Sequence, residues 1–245
     1  MANSKLVNYT KLSPNCNKPR NKAITKITIH HMAGNLSVES CGAEFAKPTR
    51  RASSNYGVGT DGRIGMYVEE KDRSWCSSNS DNDNRAVTIE VANCGGAPEW
   101  KVSDKALKAT IELCVDICKR NGIKKLNFTG DKNGNLTLHK YFKATDCPGK
   151  YLESKMPYIA EEVNKKLGAV TTTTSSTSGF KSYVVKVTAN TLNVRAGAGA
   201  KYAITTTVKK GEAFTLREEK KGSGGATWGK LKSGAGWINL AYTQK

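Results

Sequence analysis

The chain holds only three histidines, and two of them, His30 and His31, adjoin at the end of an apolar run. The third, His139, stands eight residues before Cys147 in Leu138-His139-Lys140-Tyr141-Phe142-Lys143-Ala144-Thr145-Asp146-Cys147-Pro148-Gly149. Two imidazoles and one thiolate are a donor set for catalytic zinc, in which three protein ligands leave the fourth tetrahedral position to water. Eight residues are too many for one helical face. A loop must therefore return Cys147 to His139, and Pro148-Gly149 suits that turn. The same spacing also fits an exposed histidine and a core thiol.

Glu90 adds to the chemical reading. In Arg85-Ala86-Val87-Thr88-Ile89-Glu90-Val91-Ala92 a strand would put Ile89 and Val91 on one face, with Thr88, Glu90 and Ala92 on the other. A carboxylate in an apolar strand is unusual unless it is paired or catalytic. Near a zinc ion it could take the proton of a water attacking a carbonyl; otherwise it is an edge-strand glutamate facing solvent. Thr145 could hydrogen-bond a developing oxyanion, and Tyr56 could do the same or belong to the core. His31 would point away from His30 and reads as a buried or supporting histidine.

The elements that must position these groups form a mixed α/β domain. Residues 23–30 alternate in a β-branched strand that ends at His30. A short helix spans 37–46 and stops before Pro48. Residues 55–60 and 63–68 flank Asp61-Gly62, a hairpin signal. Ser103 caps a helix through Asn121, with Leu107, Thr110, Ile111, Cys114, Val115 and Cys118 as its apolar stripe and Gly122 as its stop. A last helix runs from about 150 to 167, where Pro157 implies a kink or a broken start. Residues 168–181 include a Thr/Ser-rich run that reads as a flexible linker. Beyond it, six short strands with glycine turns, within residues 182–245, suggest a small all-β barrel.

Composition bounds the partners. The 245 residues carry a net charge of +18. Residues 1–167 contain 27 basic and 18 acidic side chains and the rest 12 and 3, so each part carries +9 and the tail is the denser. A basic balance suggests a polyanion: nucleic acid, anionic lipid or an anionic wall polymer. No stretch is long and apolar enough for a membrane span, and residues 1–10 lack the apolar core of a Sec signal. The seven cysteines are odd in number and irregularly spaced, and they read as reduced thiols of a cytoplasmic product. Cys114 and Cys118, four apart on a helix, read as small buried hydrophobes.

Four ordered motifs carry a resemblance: Ile29-His30-His31-Met32-Ala33-Gly34, Asn55-Tyr56-Gly57-Val58-Gly59-Thr60-Asp61-Gly62, Thr88-Ile89-Glu90-Val91, and His139 through Cys147-Pro148-Gly149. Over about residues 22–167 the chain resembles the type-2 N-acetylmuramoyl-L-alanine amidases, which include phage endolysins and peptidoglycan recognition proteins. The resemblance implies Zn2+ on His30, His139 and Cys147, and cleavage of the amide between N-acetylmuramic acid and the L-alanine of the stem peptide by zinc-activated water. Glu90 matches a position where some members carry a catalytic glutamate, and Thr145 one where relatives carry lysine or threonine.

Leu192-Asn193-Val194-Arg195-Ala196-Gly197, with Tyr202, Trp228 and Gly236-Trp237-Ile238, resembles bacterial SH3-like cell-wall modules. This implies wall contacts at Asn193, Arg195, Tyr202, Trp228 and Trp237, with the three aromatics equally open to a core role. The expectation is an endolysin-like amidase made in the cytoplasm that reaches Gram-positive peptidoglycan after release, its basic tail favouring anionic wall polymers. The alternative is a non-catalytic peptidoglycan receptor, though receptors of that family commonly lack the cysteine ligand retained here. No nucleic-acid signature accompanies the charge.

Overall fold

The computed structural model describes residues 2–168, 180, 182–222 and 225–245. It divides into two units, Met1–Thr171 and Thr172–Lys245. The expected linker lies almost wholly outside the described residues.

The first unit is built on a six-stranded sheet. In chain order its elements are β1 (Tyr9–Thr10), β2 (Cys16–Asn17), β3 (Lys26–His31), α1 (Val38–Phe45), β4 (Tyr56–Val58), β5 (Ile64–Met66), β6 (Arg73–Ser74), α2 (Ser80–Arg85), β7 (Ala86–Val91), α3 (Asp104–Arg120), β8 (Leu136–Leu138) and α4 (Gly149–Lys166). The sheet order is β1-β5-β4-β7-β3-β8, while β2 and β6 form a separate pair. Only β4 and β5, joined through Asp61-Gly62, run antiparallel within the larger sheet. Gly62 has φ +88°, a left-handed conformation that glycine adopts without a Cβ clash.

Alternation sorts the faces of the two central strands. Ile27 and Ile29 of β3 and Val87, Ile89 and Val91 of β7 are completely buried in one cluster with residues of α3 and α4. Each such side chain contributes about 1.5–3 kcal/mol relative to exposure. The opposite face is polar, and its threonines are hydrogen-bonded. Thr28 Oγ1 lies 2.9 Å from Thr137 Oγ1 and accepts from Asn82 Nδ2, while Thr88 Oγ1 lies 2.7 Å from Ser74 Oγ.

The helices follow from their caps. Ser103 Oγ accepts from the Ala106 amide at 3.1 Å to start α3, and Cys114 and Cys118 are buried on it. Of the two outcomes expected at Pro157, the broken start is not seen: helix α4 is continuous from Gly149 to Lys166. Pro157 is on the exposed side of the helix, away from its buried residues. Helix α2 had no counterpart in the sequence reading.

The second unit is strand-rich, with β9 (Tyr183–Val187), β10 (Thr191–Arg195), β11 (Ile204–Lys209), β12 (Ala213–Lys221), β13 (Thr227–Leu231), β14 (Trp237–Asn239) and β15 (Thr243–Gln244). They form one sheet in the order β11-β10-β14-β13-β12-β9-β15, and every pairing is antiparallel. Val185, Val187, Val194, Leu216, Leu231 and Ile238 lie in its core. A Cβ on Gly229 would meet Leu216 and Leu240 at 2.6 and 2.7 Å, so the side-chain-free backbone allows their close approach.

Candidate metal centre

Parallel pairing brings distant residues to one edge. In register, His30 lies opposite Glu90, and Ile29 lies opposite both Ile89 and Leu138. The carboxyl ends of β3, β7 and β8 therefore share an edge, and His139 follows β8 directly. Open α/β sheets bind ligands at such an edge. The loop after His139 closes through Lys140 N–H on the Cys147 carbonyl at 3.3 Å. His30, His139 and Cys147 each bring a ligand atom within 4.8 Å of the other two.

The donor geometry fits zinc. With Zn–N near 2.0–2.1 Å and Zn–S near 2.3 Å, two ligands of a tetrahedral ion sit about 3.5 Å apart. His30 Nδ1 lies 3.7 Å from Cys147 Sγ, and the His30 and His139 rings are 4.6 Å apart. His30 is 1% exposed and meets the thiol through Nδ1, while His139 Nε2 is buried without a hydrogen-bond partner. A buried polar atom left so is costly, and one able to bind a cation is a candidate donor.

Electrostatics keep the histidines neutral, the form that ligates metal. Burial first, then His139 and His31, holds His30 well below the usual imidazole value. Burial alone lowers His139. Burial and then the Glu90 carboxylate push the Cys147 thiol up, opposed by the His31 backbone N–H on its sulfur. A cation among these groups reverses the last balance, because it favours the thiolate.

Glu90 shares this edge. Burial pushes its carboxyl up to about 8, against the lowering effect of Arg50, and its Oε2 is buried and unpartnered. A displaced carboxyl beside a donor cluster is what general-base sites show. Thr145 is exposed, and its Oγ1 accepts from the Cys147 amide at 3.2 Å, which leaves its hydroxyl hydrogen free to donate. His31 packs edge-on against Trp100 with centroids 5.0 Å apart, outside the donor cluster.

Tyr56 does not join the site. Gly57, its neighbour, is the residue in register with Glu90, so Tyr56 shares the opposite face with Ile89. It is wholly buried and donates to Glu70 Oε1 at 2.7 Å, so its role is structural. Cys76, which the sequence offers only as one reduced thiol among several, does reach the site. Its Sγ lies 3.9 Å from Glu90 Oε1, in a group with His30. No periodicity or spacing marks it; only the sheet register brings it there.

In the second unit, Arg195 Nη1 donates to the Tyr202 carbonyl at 2.7 Å, and Asn193 is half-buried on β10. Tyr202 is 42% exposed, but Trp228 and Trp237 are 5% and 8% exposed. Burial thus puts the two tryptophans in the packing and not on a wall-facing surface, leaving Tyr202 as the open aromatic of the three.

Residues 20–150 match the family described as N-acetylmuramoyl-L-alanine amidase, and residues 190–244 match the bacterial SH3 domain. Among solved structures, a mutant of PlyL is similar at 14% identity and TM-score 0.50, covering 63% of this chain and 96% of that one. A mutant endolysin from Bacillus subtilis is similar at 19% identity and TM-score 0.50, covering 64% of this chain and 99% of that one. At such identities the likeness concerns the fold. No curated protein matches the sequence significantly.

Proposed function

The chain belongs to the N-acetylmuramoyl-L-alanine amidase family, which it matches over more than half its length, and on that premise we propose that it hydrolyses the amide between N-acetylmuramic acid and the L-alanine of the peptidoglycan stem peptide. The observation that carries this reading is the convergence of His30, His139 and Cys147 at one edge, with His30 Nδ1 3.7 Å from Cys147 Sγ and His139 Nε2 buried without a partner.

These three residues would hold zinc, which when bound supplies Lewis acidity to the scissile carbonyl and to water. Glu90 accepts a proton from the water as its oxygen bonds to the carbonyl carbon. The same carboxyl then returns the proton to the departing alanine nitrogen as the C–N bond breaks. Thr145 donates its hydroxyl hydrogen toward the developing oxyanion. Arg50 favours the ionised form of Glu90 against its burial.

The SH3-like unit anchors the enzyme on Gram-positive peptidoglycan, through Asn193, Arg195 and exposed Tyr202 in this reading, and its basic surface suits anionic wall polymers. Among the described residues no helix is long and apolar enough to cross a membrane. Such an enzyme acts on the wall after its release from the cell that made it.

Mass spectrometry of Gram-positive sacculi digested by the zinc-loaded protein tests the proposal. New L-alanine amino termini on intact glycan, abolished by chelator and by Cys147→Ser, are expected. New reducing ends would place the cleavage in the glycan, and binding without release would make the protein a receptor.

A further inference from the structure

A second convergence lies beside the first. The Cys76 amide donates to Asp83 Oδ2 at 3.1 Å, which fixes the backbone at the thiol. His30, Cys76 and Glu90 each bring a ligand atom within 4.8 Å of the others. The thiol–carboxylate contact of 3.9 Å addresses Glu90 Oε1 only. Oε2 is buried without a partner, and so is His30 Nε2. Sulfur at about 2.3 Å and oxygen at about 2.0–2.2 Å from one tetrahedral zinc stand about 3.5 Å apart, so a few tenths of an ångström would close the pair on an ion. Thiolate with carboxylate suits zinc and its softer analogues more than magnesium or calcium.

We propose that Cys76 and Glu90, beside His30, form a second seat for a thiophilic divalent cation, and that an ion there takes the Glu90 carboxylate away from the attacking water. A neutral imidazole has one lone pair to give. With His30 engaged at the first seat, the second therefore keeps two protein ligands and solvent, and it binds more weakly. Binding replaces the Cys76 S–H bond by a sulfur–metal bond, and that proton, with any held on the Glu90 carboxyl, passes to buffer. The inhibitory consequence rests on the amidase reading; the binding does not.

Cadmium titration of the metal-free full chain, followed by thiolate-to-metal ultraviolet absorption, tests the seat. The wild type should show two binding steps, and Cys76→Ser and Cys76→Ala should each lose the weaker one. Cys147→Ser should keep a thiolate band that Cys147→Ser/Cys76→Ser lacks. A single step in the wild type, or a weaker step surviving both Cys76 substitutions, would overturn the proposal.

In parallel, wild-type release from sacculi should fall about a hundredfold or more between one equivalent and saturating zinc. Each Cys76 variant should hold its own one-equivalent rate, and equal inhibition of those variants would remove the inhibitory role. Wild-type silence at one equivalent would sink the amidase reading and leave the cadmium result standing.

Discussion

At the residue scale, the two buried titratable groups pull the stability of the metal-free protein in opposite directions. Glu90 titrates at about 8 in the fold, above its ordinary 4.5, so the native chain retains a proton that the unfolded chain releases in between. Its contribution to stability falls as pH rises from about 4.5 to about 8. His30 is held below its ordinary 6.5, so the unfolded chain takes up a proton that the native chain refuses, and stability falls as pH drops below about 6.5. Glu90→Gln should raise the melting temperature of the metal-free protein at pH 8, by about 2–4 °C for each kcal/mol recovered, and flatten the decline above pH 4.5. Its turnover should drop by about 10²–10⁴-fold. Melting curves that keep the wild-type slope would deny Glu90 its buried titration. The ligand candidates were legible because histidine is rare here and each one stood at an element's end. Cys76 was not, since its place depends on which strands pair, and the choice between a site and a core role for Tyr56 rests on the same register.

The elements show where pattern reading works. The hairpin of β4 and β5 was announced by Asp61-Gly62, and α3 by its stripe and its Ser103 cap. Helix α2 was hidden because Ser80-Asp81-Asn82-Asp83-Asn84-Arg85 has no apolar face; it is held by the Asn79 side chain on the Asn82 amide and by Asn82 on Thr28. A second hidden feature ties α3 to the sheet. Glu70, wholly buried, receives Arg120 Nη1 and Nη2 at 2.8 and 2.6 Å, Tyr56 Oη at 2.7 Å and Asn121 Nδ2 at 3.1 Å. Arg120→Ala would strand that carboxylate. With Arg120 19% exposed, a loss of about 2–4 kcal/mol is expected, toward the lower end for breaking a buried pair. Urea unfolding measures it, and a loss under about 0.5 kcal/mol, as for an ordinary surface substitution, would show the network to be ornamental.

On the scale of the whole molecule, binding and cleavage reside in separate units. A chain cut after residue 168 should still cleave a soluble muropeptide while losing about 10²-fold or more on intact walls, the range expected when a tethered second site is removed. Rising salt should weaken wall binding of the full chain, because 12 basic and 3 acidic residues follow residue 167. Equal wall lysis with and without the second unit would deny it an anchoring role. The parallel sheet has a further consequence, for the order of events at the ribosome. His30 and Cys147 are 117 positions apart. At about 5–20 residues per second, roughly 6–23 s separate their synthesis, and β8 too must be made before β3 has both neighbours. On the zinc reading, metal capture is therefore expected only of the finished first unit: a nascent chain halted between residues 139 and 147 carries both candidate histidine donors and should hold zinc only loosely.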